Sequence, residues 1–222
     1  MKRLAIIPTK STSIRIKRKN FVLINNKPIY TYTLNNLINS KLFNKIHISS
    51  DIFVNKKYQE FLRPNSICKK TTSIKKVIQW TIMEFKKRGE IFDTVCLAYP
   101  TAPLLDQNDF KKACKKFENN KKFPLLSVSK FNPSIDEAMV KIKNFVKPKN
   151  KSKFYQDSKK HKDYFYDTGS FAFFASNYFY NKKIQSRSLT KFFVPFVLPR
   201  NKSIDINTKE DLIFLKHLIK IK

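Results

Sequence analysis

The sequence predicts an α/β layered fold on a mostly parallel sheet flanked by helices, and three observations carry that expectation. The chain opens on a run that is apolar at every position, Leu4-Ala5-Ile6-Ile7, as in a strand covered on both faces. Further in, Ile74, Val77, Ile78, Thr81, Ile82 and Phe85 recur at the spacing of one helix face. Strand-like runs and helical segments alternate along the chain, with no internal repeat.

Taken in order, the first strand stops at Pro8, because proline offers no ladder donor. A polar loop follows and ends in the basic stretch Arg15-Ile16-Lys17-Arg18-Lys19-Asn20. It lies at the carboxyl end of a first strand, where open α/β sheets bind ligands. Its hydroxyls, backbone N–H groups and cations are the groups a polyphosphate needs. Phe21-Val22-Leu23-Ile24 and Asn25-Asn26-Lys27-Pro28 read as an extended piece and a turn, with Pro28 suited to the first turn of a helix. That helix shows a face at Ile29, Tyr32, Thr33, Leu37 and Ile38. Lys45-Ile46-His47-Ile48-Ser49-Ser50-Asp51 is a second strand ending in a polar loop. Ser73 suits the N-cap of the next helix, and Gly89 its C-terminal cap. Asp93-Thr94-Val95-Cys96-Leu97-Ala98-Tyr99 is a strand that Pro100 and Pro103 break. A helix over 106–118 and a strand over 124–130 follow. Residues 131–163 are rich in lysine and show no clear core face. A strand over 193–198 and a last helix to about 220 close the chain, with Asn207-x-x-Glu210 as a capping pattern before that helix.

Composition narrows the function classes. At 222 residues and 41% hydrophobic, the chain can bury a substantial core and is not disordered. It has no apolar run long enough for a membrane span, and the apolar part of its start is too short for a secretory signal, so a cytoplasmic protein without membrane insertion is expected. Cys68, Cys96 and Cys114 are widely spaced, with no C-x-x-C pair, and read as reduced thiols. The three histidines are scattered, which argues against a histidine metal site. The net charge of +30 suits an anionic partner. Lysine is abundant in every expected element and only 2 glycines are present, a bias that an AT-rich coding sequence also produces. Nucleic acid would favour concentration into one stripe, so it is the less favoured partner.

The polar loop carries a specific resemblance. Ile7, Pro8, Ser13, Arg15, Ile16, Lys19 and Asn20 match, without a gap, the signature I-P-A-R-G-G-S-K-R-I-P-x-K-N. The chain resembles the CMP-nonulosonic acid synthetases, the acylneuraminate and pseudaminic acid cytidylyltransferases. Lys27-Pro28-Ile29-Tyr30-Thr31-Tyr32-Thr33, Phe61-Leu62-Arg63-Pro64, Tyr99-Pro100-Thr101-Ala102-Pro103, Tyr155-Gln156-Asp157-Ser158 and Tyr166-Asp167-Thr168-Gly169-Ser170-Phe171 fall on further family motifs. So does Ile204-Asp205-Ile206-Asn207-Thr208-Lys209-Glu210-Asp211. There are departures. Ser11 and Thr12 replace the two signature glycines, Ile14 replaces a lysine, and Asn207 replaces the second of two aspartates. Glycine lets backbone approach phosphate closely, whereas serine and threonine offer hydroxyl donors instead.

The resemblance implies a Rossmann-like nucleotide-diphospho-sugar transferase fold, residues 1–222 forming one cytidylyltransferase domain with a dimerisation and sugar-site excursion at 131–165. It implies transfer of CMP from CTP to the anomeric hydroxyl of an acidic nine-carbon sugar, for surface glycan synthesis, by a homodimer using Mg²⁺. Lys10, Ser13, Arg15, Lys19, Asn20, Arg63, Thr71 and Ser73 fall on its nucleotide-binding positions, and Lys19 and Asp205 on catalytic ones. Asp205 and Asn207 fall on its metal positions, and Tyr99, Gln156, Asp157 and Asp167 are the sugar candidates, with pseudaminic acid favoured. Lys141 and Arg200 both remain open as partners of the sugar carboxylate. The departures also support a second reading, a degenerate member that binds nucleotide or a partner without catalysis.

Overall fold

The computed structural model describes residues 1–13, 16–69, 71–180 and 192–221. The first strand, β1 (Arg3–Pro8), sorts its side chains to two faces by the alternation of extended chain. Ala5 and Ile7 join a core cluster with Leu34, Leu37, Phe110 and Phe117. These come from helices α1 (Tyr30–Ser40) and α3 (Gln107–Glu118). Leu4 and Ile6 join a second cluster with Ile78, Ile82 and Phe85 of α2 (Ile74–Lys87) on the opposite face. A strand covered on both faces has to be apolar throughout, and that is the run seen in the sequence.

Beside β1 lie β4 (Lys45–Ser49) and β5 (Thr94–Ala98), both parallel to it. Beyond β5 the sheet continues with β9 (Phe165–Ala175), β6 (Leu125–Lys130) and β10 (Val194–Val197). The order is β10-β6-β9-β5-β1-β4, with β9 antiparallel to both of its neighbours. The sheet is therefore mostly parallel with one reversed strand inside it. The neighbours of β1 come from later in the chain on both sides, so the topology switches direction there. Such a switch point opens a crevice at the carboxyl ends of the strands.

Local chemistry explains most boundaries. Ser73 Oγ accepts from the Lys76 N–H at the start of α2. At its end Gly89 adopts φ +77°, the Gly89 N–H donates to Lys86 O, and the Glu90 N–H donates to Phe85 O, which closes the helix in a Schellman motif. Asp106 and Asp109 form a capping box on α3, and Lys202 bridges both carboxylates at 2.6 and 2.8 Å.

Several expectations are corrected. Pro28 does not open a helix. It pairs with Leu23 in a hairpin of β2 (Leu23–Ile24) and β3 (Lys27–Pro28) whose turn residues, Asn25 and Asn26, have φ 48° and 61°. Two left-handed residues are what the tightest hairpin turn requires, and asparagine tolerates them. The stop at Pro8 holds, with Pro8 the last residue of β1. The long strand β9 had no clear counterpart in the sequence pattern. The segment 131–163 projects an antiparallel hairpin, β7 (Met139–Ile142) and β8 (Phe145–Pro148), followed by the short helix α4 (Lys151–Phe154). The hairpin is largely exposed, including Phe145 at 78%.

Asn207 does not cap the last helix, α5 (Lys209–Ile221). The cap sits one residue later: the Asp211 N–H donates to Thr208 Oγ1, and Asp211 Oδ2 accepts from the N–H groups of Asn207 and Thr208 at 2.8 and 2.7 Å. Leu215 of α5 packs with Ile16, Ile24, Ile29, Leu104 and Ile206 in a third cluster. That cluster fastens the end of the chain to its beginning.

Candidate active site

Three strand ends converge on one cleft of about 400 Å³ at the switch point. Pro8, Thr9 and Lys10 follow β1; Arg63 and Lys69 lie on the excursion after β4; Tyr99 and Thr101 follow β5. Lys19, Asn20 and Asp205 complete the polar lining. Among those residues Lys10, Lys19, Arg63 and Lys69 are cationic and Asp205 is the acid, so the cleft favours an anion.

Lys19 and Asp205 are 186 positions apart in sequence and meet through the third cluster, where Ile16 and Ile206 are both buried. Lys19 begins a 3₁₀ turn over Lys19–Phe21, entered through Arg18 at φ 52°. Its ammonium donates to the Ile206 carbonyl and lies 3.9 Å from Asp205 Oδ1. The side chain is thereby held at the wall of the cleft. Asn20 beside it donates from Nδ2 toward the Lys10 carbonyl at 3.5 Å.

Asp205 and Asn207 flank Ile206, and Asn207 Nδ2 donates to Asp205 Oδ2 at 2.7 Å. Asn207 Oδ1 is buried with no hydrogen-bond partner. For that oxygen to join the Asp205 carboxylate on a cation, the amide would have to turn over and give up its bond to Asp205. The pair would then offer two oxygens to one cation. Among the described residues no group of three or more His, Cys, Asp or Glu could hold a metal ion. A hard cation that takes one carboxylate and draws its remaining ligands from substrate phosphates and water fits this donor set, and Mg²⁺ is such an ion.

The segment after β4 brings Arg63 and Lys69 to the cleft. Arg63 is only 5% exposed; its Nη2 donates to the Thr9 carbonyl and its Nε to Cys68 Sγ at 3.2 Å. Cys68, Thr72, Ile74 and Val77 line this part, and none of them was expected as a site residue. Their only signal was proximity to Arg63 and Ser73. Tyr99 also lines the cleft. Its burial, with Asp167 and Asp205 nearby, pushes its phenol up to about 12, so it remains a hydrogen-bond donor at neutral pH.

The remaining candidates lie elsewhere. Ser13, Thr71 and Ser73 are not among the cleft-lining residues, and Ser73 serves the start of α2. Asp167 is exposed and accepts from the Gly169 N–H at 2.9 Å, while Gly169 itself reaches the cleft. Gln156 and Asp157 sit in the projecting segment: Gln156 Oε1 accepts from Lys153 Nζ, and Asp157 caps a 3₁₀ turn over Ser158–Lys160. Lys141 is on the exposed hairpin, and Arg200 lines a second cavity of about 600 Å³ beside that segment. Arg15 lies outside the described residues. Ser11, in place of a signature glycine, does not leave its donors free for phosphate. Instead its N–H and its hydroxyl donate to the two oxygens of Asp51, at 2.7 and 2.6 Å.

The chain resembles known cytidylyltransferases along nearly its whole length. The family model described as cytidylyltransferase matches residues 4–214. The pseudaminic acid cytidylyltransferase of a Campylobacter jejuni strain is 33% identical over 235 aligned positions, which cover 100% of this chain and 97% of that protein. An N-acylneuraminate cytidylyltransferase of Escherichia coli is 24% identical over 58% of the chain and 32% of its own length. Among solved structures, CMP:2-keto-3-deoxy-manno-octonic acid synthetase complexed with CTP superposes with a TM-score of 0.69 at 10% identity, covering 99% of each chain. The 2-C-methyl-D-erythritol 4-phosphate cytidylyltransferase of Francisella tularensis gives 0.65 at 15% identity, covering 98% of this chain and 100% of that one. At such identities the structural likeness speaks to the fold alone.

Proposed function

This chain belongs to the cytidylyltransferase family, and from that premise we propose that it transfers CMP from CTP to the anomeric hydroxyl of a nonulosonic acid, pseudaminic acid before its relatives. The hydroxyl oxygen attacks the α-phosphorus, the bond between the α-phosphorus and its bridging oxygen breaks, and pyrophosphate leaves. The observation that carries the reading is the convergence of Lys10, Lys19, Arg63 and Asp205 on one cleft at the switch point of the sheet. The choice of sugar rests on the full-length relatives that act on pseudaminic acid.

In this reading Lys10 and Lys19 lie against the phosphates and offset the charge that builds on the leaving pyrophosphate. Lys19 is best placed for the transferred phosphoryl group, since Ile206 and Asp205 fix its ammonium before substrate arrives. Asp205, with Asn207 Oδ1, would hold Mg²⁺, which supplies further positive charge at the phosphates. Arg63 and Asn20 face the nucleoside, and the Tyr99 hydroxyl donates to the sugar. Residues 1–222 act as one cytidylyltransferase domain. Its exposed hairpin within 131–165 supports a homodimer contact, because Met139, Val140, Ile142, Phe145 and Val146 present apolar surface to solvent. The product feeds surface glycan synthesis.

Purified protein supplied with CTP, Mg²⁺ and in turn pseudaminic, legionaminic and N-acetylneuraminic acid tests this, with pyrophosphate as the readout. Release is expected with pseudaminic acid first. A second reading is favoured by the amide of Asn207 lying on Asp205: a member that binds CTP without turning it over. CTP binding by calorimetry, with no pyrophosphate from any of the three sugars, would select that reading.

A further inference from the structure

The loop after β1 lacks both signature glycines, yet it is fixed by a contact that glycine could not complete. Ser11 presents two donors to one carboxylate: its N–H to Asp51 Oδ1 at 2.7 Å and its hydroxyl to Asp51 Oδ2 at 2.6 Å. A glycine there could offer only the first. The same two loops are laced on either side of this pair. The Thr9 N–H donates to Ser49 O at 2.9 Å, the Arg63 N–H donates to Ser50 O at 2.7 Å, and Arg63 Nη2 donates to Thr9 O. Lys10 lies between Thr9 and Ser11, so both of its chain neighbours are tied to the end of β4 or to the segment that follows it. Neither Ser11 nor Asp51 is among the residues that line the cleft.

We propose that Asp51 is a positioning residue for nucleotide binding, clamping Ser11 so that the loop holds Lys10 in the cleft where the family signature uses glycine. The inference rests on the cleft being the CTP site. Its physical basis is preorganisation: a loop already held in its binding geometry loses little freedom when a triphosphate arrives. Charge-assisted hydrogen bonds are roughly twice as strong as neutral ones, and this carboxylate takes two. Burial pushes the Asp51 carboxyl up, but the Ser11 bonds and Arg63 nearby outweigh it and leave the group below its ordinary range. The clamp is therefore ionised under any neutral assay condition.

The test is calorimetric titration of CTP into wild type, Ser11→Ala, Asp51→Ala, Asp51→Asn and the double variant Ser11→Ala/Asp51→Ala, with turnover measured on the same preparations. Asp51→Ala is expected to weaken CTP about tenfold and Ser11→Ala roughly threefold, in line with the loss of charge-assisted bonds. The double variant is expected to be no weaker than Asp51→Ala alone, because both changes remove one interaction. Asp51→Asn restores most of the affinity, since its amide can still accept from the Ser11 N–H and bond the hydroxyl. In turnover the KM for CTP rises while kcat stays within about threefold of wild type, the pattern of lost ground-state binding. A lowered melting temperature with unchanged CTP affinity would reduce the clamp to a structural contact and overturn the proposal. If Asp51→Ala does not fold, Ser11→Ala decides alone, because it keeps the backbone donor and removes only the hydroxyl. Failure of wild type to bind CTP would instead refute the functional reading of the cleft.

Discussion

His47 should make this protein lose stability in mild acid, and replacing it by leucine should remove that loss. The imidazole is 0% exposed in β4, and neither ring nitrogen has a hydrogen-bond partner. It lies tilted against Phe61, with ring centroids 4.2 Å apart, and meets Phe85 edge-on at 5.3 Å. Burial, with Arg88, Lys45 and Arg63 adding positive charge, pushes its pKa from 6.5 to about 3. The folded state therefore holds a neutral ring, while the unfolded chain takes up a proton as pH falls below 6.5. Stability is intact above the unfolded value and drains away down to the folded one. The full shift corresponds to roughly 5 kcal/mol, reached below about pH 3, and about 2 kcal/mol is already lost at pH 5. His47→Leu changes packing as well, but that change is the same at both pH values. Urea denaturation of both proteins at pH 7.5 and pH 5, extrapolated linearly to water, isolates the protonation effect as the difference of differences. The variant is expected to gain about 2 kcal/mol relative to wild type between the two pH values. A difference near zero would mean that His47 titrates normally in the folded protein, and the description of its surroundings would be wrong.

Two other substitutions test the site and the scaffold. Asn207→Asp sets a second carboxylate against Asp205 in place of the amide donor; without Mg²⁺ it should lower the melting temperature, and millimolar Mg²⁺ should raise it more than in wild type. Equal thermal shifts in the two proteins would remove Asp205 and Asn207 from the metal site. Gly89→Ala should cost about 1 kcal/mol in urea denaturation, because φ +77° is open to glycine while no atom within 4 Å would meet the new methyl.

Much of the scaffold was legible in the sequence because single segments encode it. The unbroken run Leu4-Ala5-Ile6-Ile7 can only be buried on both faces, and the offsets from Ile74 to Phe85 suit one helix face. Gly89 supplies a conformation few other residues tolerate. What escaped was set by partners far away in the chain. Phe165–Ala175 mixes Asp167, Thr168, Gly169 and Ser170 with aromatics, and it becomes a central antiparallel strand only because β5 and β6 leave a gap for it. The hairpin at Asn25-Asn26 had a local signal in its paired asparagines, which the proline two residues on masked. The cap of α5 moved from Asn207 to Thr208 because Asp211, rather than Glu210, faces the free N–H groups.

The site divides in the same way. Lys10, Lys19, Asn20, Arg63, Tyr99 and Asp205, each named from a motif, do line one cleft. Ser11 stands in the sequence as a replaced glycine with a hydroxyl to donate, and its bond to Asp51, 40 positions away, could not be seen from either segment alone. Asn207 was read as a lost carboxylate. In the fold its amide nitrogen donates to the carboxylate that remains, and its carbonyl oxygen is left without a partner.

The central claim is that the Lys19–Asp205 wall of the cleft performs cytidylyl transfer. The most direct measurement is pyrophosphate release from CTP, Mg²⁺ and pseudaminic acid by wild type beside Lys19→Ala. The account predicts release that needs all three components, and a kcat/KM lowered by about a hundredfold or more in the variant, as expected when a preorganised cation is removed from the transferred phosphate. Turnover by Lys19→Ala equal to that of wild type, or no release from a folded wild type with any nonulosonic acid, would contradict it.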